Sequence, residues 1–340
     1  MALRGDRVTL AHGGGGKAMR DLIEALFTDV FEPAGMEDQA RLELGALAKP
    51  GARLAFTTDS FVVSPVEFPG GDIGALAVNG TVNDLAVGGA RSLWLSAAFI
   101  IEEGTHFALL ARIAATMRRE ADKAGVKIVT GDTKVVGRGE ADTVFVTTSG
   151  VGVIAPGRDL AASRIEPGDV AIVNGVLGDH GACILAARGD LALSSALKSD
   201  CAGLGHLMEA VLAAAPGAKA ARDCTRGGLA SALNEMAEAA GVGIELEEAA
   251  LPLRAEVKGT CELLGLDPLY LANEGRLVVF VPEDQAEAAL AAMKANEHGA
   301  GAAIIGRATD GEAGLVTMRT LFGGQRIVDM LVGEQLPRIC

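Results

Sequence analysis

Aromatic side chains are scarce in this 340-residue chain, at 4%, with one Trp and one Tyr. A core must therefore be built from Ala, Leu, Val and Ile. Positive charge is also short: 30 Lys plus Arg stand against 44 Asp plus Glu, a formal charge of −14. That balance opposes nucleic acid and anionic membranes as partners, and it requires any phosphate site to be locally positive or masked by a cation. The longest near-apolar run, 93–101, is nine residues, too short to span a bilayer. The first six residues lack the apolar segment of a secretory signal, which predicts a cytoplasmic protein. Five cysteines, with no C-x-x-C pair, exclude a zinc ribbon or thioredoxin motif and argue against a disulfide framework. No G-x-G-x-x-G follows a strand, and H-E-x-x-H and G-x-S-x-G are absent.

What remains is plentiful: 49% hydrophobic residues and 45 glycines, enough chain for roughly two domains. Apolar residues at Met19, Leu22, Ile23, Leu26, Phe27 and Val30 mark one helical face. Strand material is read at 53–57 and 61–63, around Asp59, then a small-residue helix over 73–87 and a strand at 93–101. A helix from Phe107 follows, with strands at 126–130, ending at Gly131-Asp132, and 143–154. The polar stretch 156–167 is taken as a domain boundary. A second series has strands at 170–173, 243–246, 276–281 and 302–305, and helices at 206–214, 227–240, 257–264 and 285–294. The loose alternation predicts an α/β class.

His12-Gly13-Gly14-Gly15-Gly16-Lys17 fails the P-loop spacing, because Ala11 and Ala18 stand where a glycine and a hydroxyl are needed. Its glycine amides could still face an anion, or the run is a plain lead-in to the helix. Asp59, Asp84 and Asp132 each lie beside small or hydroxyl residues. Together they could hold a magnesium-nucleotide; singly, each serves as well for a cap or turn. Asn79, Asn83 and Asp84 form a polar stripe within an apolar helix and need partners. Lys134 could contact a phosphate or be an exposed strand-end lysine. Asp223-Cys224-Thr225-Arg226-Gly227-Gly228 could bind an oxyanion at a helix N-terminus. Gly178-Asp179-His180-Gly181 has the same ambiguity, with His180 as its chemical candidate, and Glu274 is either a base or part of a turn. Extended, the final residues from Gly333 could carry the Cys340 thiol roughly 25 Å, into a cleft or toward a partner.

With segments 70–74, 79–86 and 131–134 and terminal Pro337-Arg338-Ile339-Cys340, the chain resembles the HypE family of hydrogenase maturation factors. The Asn-Asp and Gly-Asp-Thr segments are shared with the wider superfamily of aminoimidazole ribonucleotide and selenophosphate synthetases; the terminal tetrapeptide is more specific. The resemblance implies a two-domain PurM-like α/β fold: an ATP-binding and dimerising domain at 1–157, a C-terminal α/β domain at 158–332, and a mobile tail at 333–340. It implies a homodimer using ATP and Mg2+ to dehydrate a carbamoyl group on Cys340 to a thiocyanate, the source of the cyanide ligands of a nickel-iron hydrogenase. Carbamoyl transfer would come from HypF, and HypC with HypD would accept the cyano group. By motif, Asp59, Asp84 and Asp132 would hold the metal, with Asn79, Asn83, Thr133, Lys134, Gly15 and Lys17 at the nucleotide. Cys340, Lys134 and Glu274 would carry the chemistry, and 223–228 would line the tail channel. Two other readings stay open: a carrier that only shuttles a group on Cys340, and a selenophosphate synthetase-like enzyme that does not need Cys340.

Overall fold

A computed structural model describes residues 3, 5–14, 17–32, 39–40, 42–43, 45–47, 49–189, 197–331 and 338–340. The expected Gly15 contact and residues 333–337 of the expected tail lie outside them. The amphipathic N-terminal stretch forms α1 (Lys17–Ile23), runs through a π-helical turn at Glu24–Thr28 and ends as α2 (Asp29–Phe31). The next elements are β1 (Arg53–Phe61), the short pair β2 (Glu67–Phe68) and β3 (Gly71–Asp72), α3 (Ile73–Val87), β4 (Ala90–Glu102), α4 (Phe107–Ala124), β5 (Lys127–Val136) and β6 (Val144–Ile154). Strand order is β1-β6-β4-β5, with only β4 and β5 parallel.

Alternating burial along β6 shows that one face of this sheet is covered, by α3 and α4. The other face is open and displays Leu54, Phe56 and Ile100, at 62%, 72% and 41% exposure. Asp72 starts α3 by accepting the Ala75 amide at 2.9 Å. Nearly every side chain of α3 is buried, because it lies between this sheet and the second half of the chain.

Two expected strand breaks are absent. β1 runs unbroken through Thr58-Asp59-Ser60, and β5 continues past Gly131-Asp132 to Val136. Gly131 is required where β5 presses on β4, since a Cβ there would lie 2.2 Å from the Ala97 carbonyl oxygen. It is a close-packing glycine, not a strand terminator.

The second half contains β7 (Val170–Val173), α5 (Asp179–Ala187), α6 (Gly205–Ala214), β8 (Ala220–Asp223), α7 (Gly228–Ala240), β9 (Gly243–Glu247), α8 (Ala255–Leu264), β10 (Leu277–Val281), α9 (Ala286–Lys294), β11 (Ala303–Thr309), β12 (Val316–Arg319) and β13 (Gln325–Ile327). Among the described residues its sheet has the order β13-β12-β9-β11-β7-β10-β8. The unbroken apolar runs of β7 and β10 follow from burial on both faces. Val173, Val278 and Phe280 pack toward α7, while Ile172, Val279 and Val281 pack toward α6 and α9. No helix of the described residues is long and apolar enough to cross a membrane.

Candidate functional site

The carboxylates gather where α3 meets β8 and the start of α7. Thr57 on β1 donates its hydroxyl to Asp84 Oδ2 at 2.8 Å, tying the helix to the sheet. Asp59, two residues on, points to the same helix-covered side, and Asp223 ends β8 opposite them. Burial raises the Asp84 pKa, and the Asp59 charge adds to the effect while Arg226 opposes it. Asp223 is pushed up to about 7, first by burial and then by the charge of Asp84. Three acids thus share a space that holds too little positive charge. A cleft of about 680 Å3 opens beside them, walled by Asp84, Asp223, Arg226, Leu160, Ala162 and Met236. Gly228 starts α7 at φ +60°, and a Cβ there would meet the Leu269 carbonyl oxygen at 2.3 Å, so the turn carrying Arg226 demands glycine.

Among the described residues, no group of three His, Cys, Asp or Glu is close enough to hold a metal unaided.

Asp132 does not belong to this group within one chain. It lies on β5, three strands and roughly 14 Å from β1 by ordinary strand spacing. It also faces the open side of the sheet, in register with Ala98, and bonds Lys134 Nζ at 2.6 Å. This lysine bond is the main cause of its lowered pKa. Within one chain, then, the structure brings Asp59 and Asp84 of the expected trio together with Asp223 and leaves Asp132 apart from them. Asp223 was legible only as part of an oxyanion loop, since the four-residue β8 that presents it leaves little trace in the sequence.

Asn79 and Asn83 lie apart from this group. Both are buried, and neither faces the cleft. Asn83 donates to the Ala202 carbonyl at 3.0 Å and accepts the Leu204 amide at 2.7 Å, while Asn79 reaches the Cys201 sulfur at 3.5 Å. These two amides of the α3 stripe are thus partnered by loop 201–204 of the second half. Thr133 is buried on the helix-covered side of β5, away from its neighbours Asp132 and Lys134. Lys17 Nζ bonds Asp21 one helical turn on.

The chain terminus lies at this same junction. The Val62 amide donates to the Cys340 carbonyl at 3.1 Å and the Ser64 amide to the Arg338 carbonyl at 3.1 Å, so the last residues add a short strand beyond β1. Ile339, 5% exposed, points the other way into the core of the first half. The Cys340 thiol lies beside the Glu274 carboxyl, near enough for each to perturb the other. Burial and then the Glu274 charge push the thiol pKa up, keeping it protonated and unreactive while docked.

Glu274 is buried, with Oε1 lacking any hydrogen-bond partner among the described residues. Burial, and then the charges of Asp200 and Asp223, hold its pKa well above the carboxylate range. Its backbone is fixed by Asp200, whose carboxylate accepts the Glu274 and Gly275 amides at 3.1 and 3.2 Å. Asp200 is buried against Arg276 and escaped sequence reasoning, because a lone Asp in a loop carries no pattern. An unpaired buried acceptor facing a terminal thiol, beside three carboxylates and a cleft, is an arrangement suited to proton removal next to a phosphate-binding region.

The chain matches the family described as AIR synthase related protein over both of its parts, the N-terminal domain at residues 36–154 and the C-terminal domain at 166–318. It is 77% identical to the carbamoyl dehydratase HypE of Rhodobacter capsulatus over 340 residues, all of both chains. Among solved structures, the hydrogenase maturation protein HypE in complex with ATP superposes with a TM-score of 0.92 at 45% identity, covering 97% of this chain and 99% of that one. A chain from a HypE-HypF complex superposes at 0.80 with 46% identity, covering 91% and 99%.

Proposed function

Since this chain belongs to the HypE family of hydrogenase maturation proteins, ATP-dependent carbamoyl dehydratases with the two-domain PurM-like fold, we propose that its substrate is its own Cys340, carbamoylated by HypF and dehydrated to a thiocyanate. The observation that carries this reading is the docking of Cys340 against Glu274 beside Asp59, Asp84 and Asp223.

A carbamoyl oxygen is a poor leaving group as hydroxide, and phosphorylation makes it a good one. The cleft beside Asp84 and Arg226 would take ATP, with Arg226 the cation available to its phosphates. One or two carboxylates from among Asp84, Asp59 and Asp223, together with phosphate oxygens, would hold Mg2+, which would neutralise phosphate charge. The carbamoyl oxygen attacks the γ-phosphorus and ADP departs. The nitrogen then loses its protons, the C–O bond breaks, and phosphate leaves carrying that oxygen. The balance is thiocarbamate plus ATP giving thiocyanate, ADP and phosphate. Glu274, whose carboxylate is deprived of hydration, is a stronger base than a surface glutamate and is aimed at the group on Sγ. Sulfur suits the last step, because a thiolate leaves readily when the cyano group passes to HypC with HypD.

Lys134 is on the wrong face of the sheet to reach this site in its own chain. Its role requires a homodimer formed through the open face bearing Leu54, Phe56 and Ile100, in which the partner subunit's Lys134 approaches the nucleotide.

Intact mass measurement on carbamoyl-loaded protein tests the reading. Adding Mg-ATP removes the mass of one water from the C-terminal peptide; Asp84→Asn retains the carbamoyl group, and Cys340→Ala never acquires it. A chain that keeps its carbamoyl group with Mg-ATP is a carrier only.

A further inference from the structure

The docked tail is held by its backbone as well as by Ile339. Every carbonyl of its last three residues is bonded: Arg338 O accepts from Ser64 N and from Arg188 Nη2 at 2.8 Å, Cys340 O accepts from Val62 N, and Ile339 O accepts from His180 Nε2 at 2.7 Å. The His180 bond is the buried one among the side-chain contacts. A carbonyl can only accept, so Nε2 carries the proton. Nδ1 then accepts from the Ser199 hydroxyl at 2.8 Å, and Ser199 Oγ in turn accepts the Cys201 amide at 3.1 Å. The edge of Phe68 packs on the ring, with centroids 5.5 Å apart. Tautomer and ring plane are thereby both fixed.

His180 is also joined to the catalytic loop. It is the second residue of α5. Gly178, just before that helix, donates its amide to Asn273 Oδ1 at 2.7 Å, and Gly181 donates to the Ala272 carbonyl at 3.0 Å. The segment that ends in Glu274 and the imidazole that grips Ile339 are therefore one unit.

We propose that His180 is a positioning residue: its Nε2–H reads the Ile339 carbonyl, sets the tail in the one register that places Sγ against Glu274, and acts in dehydration but not in carbamoyl acceptance. A one-residue slip would carry Ile339 out of its buried site and turn Cys340 to the opposite side of the added strand, so the His180 bond and the Ile339 pocket together hold a single register. Carbamoyl transfer from another protein needs the tail undocked, so the latch works against that step and for the next one.

The inference rests on the dehydratase reading above, and the tests separate the two. Full-length parent, His180→Leu and His180→Gln are loaded with carbamoyl, and dehydration is followed in a single turnover by mass. His180→Leu leaves the Ile339 carbonyl buried without a donor, and dehydration falls about tenfold or more. Carbamoyl acceptance from HypF proceeds at least as fast as in the parent. His180→Gln, which keeps an N–H donor, recovers most of the rate. A glycine inserted between Ile339 and Cys340 leaves the core untouched, and this variant accepts carbamoyl but does not dehydrate it. Parental dehydration in His180→Leu or in the insertion variant overturns the inference. So does a matching loss of both half-reactions and of thermal stability that Gln does not relieve. If the parent itself does not dehydrate, it is the dehydratase reading that fails.

Discussion

Replacing Ile339 by alanine measures how firmly the tail is held. The side chain is 5% exposed and packs into the first core, so undocking returns it to water. Ile→Ala removes three carbons at about 0.8 kcal/mol each, weakening docking by about 2.4 kcal/mol, or roughly 50-fold in the docked-to-free ratio. Cys340 reports that ratio directly, because its thiol is shielded and protonated beside Glu274 when docked and ordinary when free. The assay is the rate at which a thiol reagent modifies the C-terminal peptide, read by mass spectrometry. Buried Cys183, Cys224 and Cys261 serve as internal controls for global opening. The Cys340 labelling rate rises roughly 50-fold in Ile339→Ala while the controls are unchanged. Labelling within about twofold of the parent refutes the claim that burial of Ile339 anchors the terminus.

Other consequences follow from the same geometry. Asp223, raised from 3.8 to about 7, binds a proton in the folded chain over a range where the unfolded chain has lost it. Its stabilising contribution is complete below pH 3.8 and is lost as pH rises through 7, a linkage of about 4 kcal/mol. In buffer without divalent cations, Asp223→Asn therefore melts several degrees above the parent at pH 8 and converges with it near pH 4; a difference independent of pH refutes this. Phe56→Lys places charge on the open sheet face, and sedimentation should show a dimer becoming a monomer with an unchanged circular dichroism spectrum. A persistent dimer would locate the interface elsewhere.

Much of the fold was legible because periodicity records burial. Helix 73–87 and strand 170–173 agree with α3 and β7 residue for residue, since one is buried nearly all round and the other on both faces. Glycine misled at Gly131, where a punctuating residue in sequence is a close-packing residue in space. The stripe Asn79, Asn83 and Asp84 correctly demanded partners, but a buried amide does not state which group satisfies it. Two of the three turned to loop 201–204 and only Asp84 turned to the cleft. Asp59, Asp84 and Asp132 looked alike along the chain, and only the sheet order and facing separate Asp132 from the others. The terminal tetrapeptide singled out the tail, whereas His180, Asp200 and Asp223 gained their roles from contacts spanning many residues, which local pattern does not encode.

The central claim is that oxygen leaves the group on Cys340 by way of phosphate. Protein loaded with a carbamoyl group bearing heavy oxygen, then given unlabelled Mg-ATP in ordinary water, tests it in one turnover. The account predicts that the heavy atom appears in inorganic phosphate, one per thiocyanate formed. Label released into water, or retained on the protein while ATP is hydrolysed, contradicts it.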